Sequence, residues 1–185
     1  MENSNIIFLM LIIGILSMPI VVEKIEYINA IYLFENNEYD LQELIEKNNL
    51  TEQEPLMSYC FDTNEEIKEL AENLTTVYDV QKWILDFKNA DETEPLTPKE
   101  ILEKGTGDCL SKSCLACSIL ANKGYDCCIL ISNGKYDHSI FALKSGNKIK
   151  PLFPTGYISS QEELDDFMNN LWIINCNNKY YETTI

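Results

Sequence analysis

Between residues 62 and 122 the apolar positions recur at helical spacing. Ile67, Leu70, Ala71 and Leu74 form one amphipathic stripe, and Val77, Val80, Trp83, Ile84 and Phe87 form a second. Thr63 and Asn64 stand where an N-cap is needed ahead of the first. Thr97-Pro98-Lys99-Glu100 reads as a capping box with proline at the first helical position, and Gly105 suits the stop. Asp108 is placed to cap a further helix over residues 109–122, ended by Gly124. On that helix Leu110, Cys114, Cys117 and Ala121 share one expected buried stripe.

After Gly124 the period changes. Residues 125–132, 136–143 and 148–153 read as strands, separated by turn signals at Asn133-Gly134 and Ser145-Gly146-Asn147. Ser160 with Glu163 forms another capping box ahead of Leu164, Phe167, Met168 and Leu171. Helices, then an antiparallel meander, then a helix predict an α+β fold, with a small antiparallel sheet packed on the helix that starts at Cys109.

Upstream the pattern is different. Residues 6–22 form an apolar run without a charge, at the short end of what spans a bilayer, roughly 17 residues. The preceding Met1-Glu2-Asn3-Ser4-Asn5 lacks Lys and Arg, and no small-x-small cleavage site follows. The run therefore reads as an uncleaved single-pass membrane anchor over residues 1–23, with a signal segment or a buried core helix as alternatives. Residues 24–58 read as a connecting arm holding one short helix from Asp40 (Leu41, Leu44, Ile45), and residues 59–185 as the folded domain. Asn49-Leu50-Thr51 and Asn73-Leu74-Thr75 match the glycosylation acceptor pattern, which favours an extracytoplasmic face.

Composition narrows the partners. The 185 residues include 14 basic and 30 acidic side chains, for a net charge of -16. Nucleic acid and anionic bilayer surfaces would be repelled. The seven cysteines are an odd number, so at least one has no partner within the chain. Most sit in apolar or helical surroundings, so a disulfide scaffold is not expected.

Candidate chemistry centres on Cys109. It follows Gly105-Thr106-Gly107-Asp108 and opens a helix. The first N–H groups of a helix lack intrahelical partners and the macrodipole is positive there, so a thiolate is stabilised. The same N–H groups suit the oxyanion of an acyl transition state. His138 is the single histidine of the chain and lies on the strand expected to cover that helix.

Residues 67–157 resemble the transglutaminase-like superfamily of transglutaminases and thiol peptidases. Thr97-Pro98-Lys99-Glu100-Ile101-Leu102, followed by Gly105-Thr106-Gly107-Asp108-Cys109, is similar to its nucleophile segment. The stretch from Leu115 to Tyr125 is similar to its buried helix, and Asp137-His138-Ser139-Ile140-Phe141-Ala142 to its histidine strand. The resemblance implies a papain-like core with Cys109 as nucleophile and His138 as the base that becomes the general acid. Its implied activity is thiol-dependent acyl transfer on peptide or isopeptide amide bonds of a peptide or protein substrate, hydrolysis favoured over crosslinking, with no cofactor or metal.

One position departs from the family pattern. The orienting aspartate is expected where this chain has Phe153, in Leu152-Phe153-Pro154-Thr155. Hairpin arithmetic pairs His138 with Phe153 if the turn centres on Ser145-Gly146, and with Thr155 if it centres on Gly146-Asn147. Asp137 points to the opposite face of its strand. A catalytically silent peptide-binding module is therefore the alternative to a Cys–His dyad. A further alternative is an iron–sulfur or zinc protein. It would use Cys109, Cys114 and Cys117, with Cys127, Cys128 or Cys176 as fourth iron–sulfur ligand, or zinc on Cys114, Cys117 and His138.

Overall fold

The computed structural model describes residues 37–53, 58–62, 64–90, 95–134, 138–152, 158, 160–176 and 179–183. The expected membrane segment lies outside them. Among the described residues no helix is long and apolar enough to cross a membrane.

The expected helices form where their caps stand. Helix α1 (Leu41–Lys47) starts at Asp40, whose carboxylate accepts from the Gln42 and Glu43 N–H groups. Helix α2 (Glu65–Asn73) is capped by Asn64, and α3 (Val77–Leu85) by a reciprocal box between Thr76 and Asp79. The Thr97–Glu100 box opens α4 (Pro98–Lys104), which ends at Gly105 with φ 68°, a left-handed conformation that glycine adopts without strain. Asp108 opens α5 (Cys109–Asn122), and Ser160 opens α6 (Gln161–Asn169).

The sheet is larger than the three-stranded meander read from the sequence. Its strands are β1 (Tyr39–Asp40), β2 (Leu50–Gln53), β5 (Cys127–Ser132), β6 (His138–Ser145), β7 (Lys148–Pro151), β8 (Leu171–Cys176) and β9 (Lys179–Thr183). They lie in the order β1-β7-β6-β5-β8-β9-β2, antiparallel throughout. A separate parallel pair joins β3 (Lys88–Asn89) to β4 (Thr106–Gly107). Residues 39–53, within the stretch expected as an arm, thus supply both edge strands and α1.

The sheet divides two cores. On one face α2, α3, α4 and α5 pack against Ile129, Phe141 and Ile173. On the other, α1 and α6 pack against Leu130, Ile140 and Ile174. The chain is a mixed helix–sheet fold around an antiparallel sheet.

Helix α5 does not show the single buried stripe expected of it: every residue from Ser111 to Leu120 is buried. Its polar groups compensate by holding neighbouring segments. Ser111 Oγ accepts from Leu96 N–H at 2.8 Å and Ser118 Oγ accepts from Asp62 N–H at 2.9 Å, and Lys123, just past the helix, donates from Nζ to the Ala71 carbonyl at 2.7 Å.

The cysteines correct the sequence reading most. Cys60 is bonded to Cys114, Cys117 to Cys127, and Cys128 to Cys176. Helix and strand surroundings did not exclude disulfides, because α5 and β5 lie side by side and each presents cysteines to its neighbours. An iron–sulfur or zinc site on Cys109, Cys114 and Cys117 does not fit, since two of the three thiols are consumed. Among the described residues no group of three or more His, Cys, Asp and Glu side chains is placed to hold a metal.

The three bonds close consecutive loops that do not overlap, with sequence separations of 54, 10 and 48. Their chain-entropy contributions are therefore independent. Replacing Cys128 and Cys176 together by alanine should lower unfolding stability by about 4 kcal/mol, and replacing Cys117 and Cys127 by about 3 kcal/mol. Denaturant titration of the two double variants checks both the size and the order of the losses.

Candidate active site

Cys109 is the one free cysteine among the described residues and is partly exposed. Three features place it. Gly105 turns the chain out of α4, β4 runs parallel to β3, and Gly107 lies so close to α5 and α4 that an added Cβ would sit 3.3 Å from Ser111 Cβ and 3.5 Å from Ile101 Cγ1. Asp108 then caps the helix, its Oδ1 accepting from Ser111 N–H at 2.7 Å. Ser113 Oγ donates to the Cys109 carbonyl at 2.8 Å.

The Cys109 sulfur faces backbone donors. The N–H groups of Cys109 and Leu110, at the helix start, and of Ser139, on β6, all favour its thiolate. Even so the thiol is held above its ordinary value, first by burial and then also by the Asp108 carboxylate. The depressed thiol expected at a helix start is therefore not the resting condition: desolvation outweighs the donors.

His138 is 5 % exposed and pairs in the ladder with Ser132 of β5. Burial lowers its pKa to about 4. A thiolate beside it would pull in the opposite direction. With the thiol raised and the imidazole lowered, both groups rest neutral near pH 7, not as an ion pair. Strand alternation explains part of this. Phe141 packs under α5, whereas Ile140 and Ala142 pack under α6, and His138 shares the parity of the latter two. It is Ser139 that has the α5-side parity and reaches Cys109, through its N–H. The contact the structure shows for Cys109 on this strand is therefore with Ser139, the residue after His138.

The β6–β7 ladder pairs Ala142 with Pro151 and Ser145 with Lys148, so the turn centres on Gly146-Asn147. That is the alternative which the hairpin arithmetic linked to Thr155. Asp137, Phe153 and Thr155 themselves lie outside the described residues.

Three residues at this site escaped the sequence reading. Ser139 is 1 % exposed, and its hydroxyl has no hydrogen-bond partner among the described residues. Lys112, one turn beyond Cys109, is 2 % exposed and donates at 2.6 Å both to the Phe87 carbonyl and to Asn89 Oδ1. A lysine inside an otherwise small and apolar helix segment was the available signal. Nothing in the pattern around Ser139 or Asn89 would have marked them.

No protein-family profile matches the chain, and no curated protein matches it. Among solved structures, a suspected cysteine protease of Cytophaga hutchinsonii is similar over 67 % of this chain and 46 % of its own, at 9 % identity and a TM-score of 0.46. The chain thus spans less than half the length of that protein.

Burial of a neutral histidine makes stability depend on pH. The unfolded chain takes up a proton near the ordinary value of 6.5, and the folded chain only near 4. Stability present above pH 6.5 is therefore lost as pH falls toward 4, at about 1.4 kcal/mol per unit and on the order of 3 kcal/mol in all. Urea unfolding between pH 7 and 5 should show a steeper decline for the parent chain than for His138→Gln. Parallel curves would mean that His138 is not buried neutral.

Proposed function

We propose that the chain is a thiol-dependent acyl-transfer enzyme of transglutaminase-like type. It acts on amide bonds of a peptide or protein, and hydrolysis is favoured over crosslinking because water is always present. One observation carries the reading. Six cysteines are spent in disulfides, and the thiol left over is the one that opens α5 behind Gly-Thr-Gly-Asp, against the strand that starts with the chain's one histidine.

In this reading Cys109 attacks the amide carbonyl and His138 accepts the thiol proton. The new carbon–sulfur bond gives a tetrahedral oxyanion, which the N–H groups at the start of α5 stabilise. Collapse breaks the carbon–nitrogen bond, and the imidazolium returns the proton to the leaving amine. Water, deprotonated by His138, then releases the acyl group as a carboxylic acid. Three disulfides suit an oxidising compartment, consistent with an extracytoplasmic location.

The neutral resting pair favours a second reading. If His138 stays on the α6 side of the sheet, the domain binds a peptide without cleaving it.

A peptidyl vinyl sulfone decides between the two. The catalytic reading predicts covalent labelling of Cys109, abolished by Cys109→Ala and slowed about 10²-fold or more by His138→Ala, the usual scale for a general base. Labelling at a rate indifferent to His138, with peptide binding retained, would support the silent module. Mass mapping of the adduct and its rate supply both readouts.

A further inference from the structure

Lys112 presents a physical problem that the acyl-transfer scheme leaves unsolved. It is buried within the stretch of α5 that has no exposed residue, yet it carries an ammonium group. Retaining a charge there calls for compensation by an opposite charge or by several hydrogen bonds. Its two bonded partners, the Phe87 carbonyl and the Asn89 side-chain oxygen, are both neutral. Burial accordingly lowers its pKa, and the charges that oppose this loss are Cys109 first and Asp108 second. The Asp108 carboxylate keeps its charge while one of its oxygens caps the helix, and it is the standing anion of the two because the thiol rests neutral.

Among the described residues, the other groups recorded around the sulfur offer no cation near neutral pH. His138 is held neutral by burial, and Ser139 contributes an N–H group. Phe87, just before β3, and Asn89 within it contribute only acceptors toward the lysine. A second anion joins Asp108 around Lys112 when Cys109 ionises. Spacing agrees: residues three apart on a helix lie on the same side, one turn removed.

We infer that Lys112 is a positioning residue for this site: the buried counter-ion of the Cys109 thiolate, pinned in place by Phe87 and Asn89. The inference rests on Cys109 being the nucleophile. It assigns the stabilisation of the thiolate to an amine on the same helix, and leaves His138 the task of moving the proton. It also explains why the segment before β4 runs alongside the nucleophile turn. The β3–β4 pairing sets Asn89 opposite Gly107, and the Lys112 bonds lock that segment to α5.

The test is the pH dependence of Cys109 alkylation by iodoacetamide in the intact, disulfide-bonded chain. Lys112→Met keeps the volume and removes the charge, and should raise the midpoint by about one pH unit, which is about tenfold slower alkylation below it. Lys112→Arg should stay within a few tenths of a unit of the parent. A folded Lys112→Met chain with an unchanged midpoint overturns the inference. If Lys112→Met does not fold, Cys109→Ser provides the reciprocal measurement. Without the thiolate, Lys112 should lose its proton at lower pH when its side chain is followed by carbon NMR, and an unchanged titration overturns the inference equally. Iodoacetamide is not a peptide, so these readouts do not depend on substrate turnover. A peptide electrophile that ignores Cys109 while the Lys112 effect persists would defeat the acyl-transfer reading alone.

Discussion

Helix α5 is enclosed on all sides from Ser111 to Leu120, and the remainder of the described structure is arranged to make that enclosure possible. Three helices cover it and the sheet closes its fourth side. An entirely enclosed helix gains from apolar burial all round, but each polar group it carries must find a partner. Ser111, Lys112 and Ser118 do so by holding the backbone at Leu96, Phe87 and Asp62, in the connections around the surrounding helices, and Lys123, just past α5, holds Ala71 of α2. Two disulfides leave the same helix, toward Cys60 and Cys127. The third continues from β5 to β8, so covalent links run from residue 60 to residue 176 through α5.

This enclosure sets the chemistry of the helix start. Cys109 sits where the buried helix meets the surface, close enough to the core for desolvation to outweigh three N–H donors. His138, near the end of β6, is buried deeply enough to lose its affinity for protons. The resting site is therefore uncharged at both residues. Ionising either residue costs about 1.4 kcal/mol for each unit that separates its pKa from the ambient pH.

Local chemistry made much of this visible in the sequence. Asp40, Asn64, Thr97, Asp108 and Ser160 cap helices as their types and spacing suggested, and Gly105 ends α4. These signals act within a few residues, so no tertiary context overrides them. The apolar pattern also located β5, β6 and β7. Pairing between distant segments was not legible. Leu50–Gln53 joins Lys179–Thr183 across almost the whole chain, and neither stretch carries a clean alternation. The cysteine partners were hidden for the same reason: Cys114 looks like a small core residue until Cys60 is seen beside it. At the site, the helix start and the histidine strand could be read from spacing. The side of the sheet that His138 takes could not, because it depends on which helix covers which face.

The central claim is that one thiol is left over from three disulfides and that it is Cys109. Alkylating the chain in denaturant without reductant, then mapping the modified residue by mass spectrometry, tests it most directly. One labelled cysteine per chain, Cys109, is expected, and six more only after reduction. Three or more thiols before reduction, or a label on Cys114 or Cys117 in place of Cys109, would contradict it.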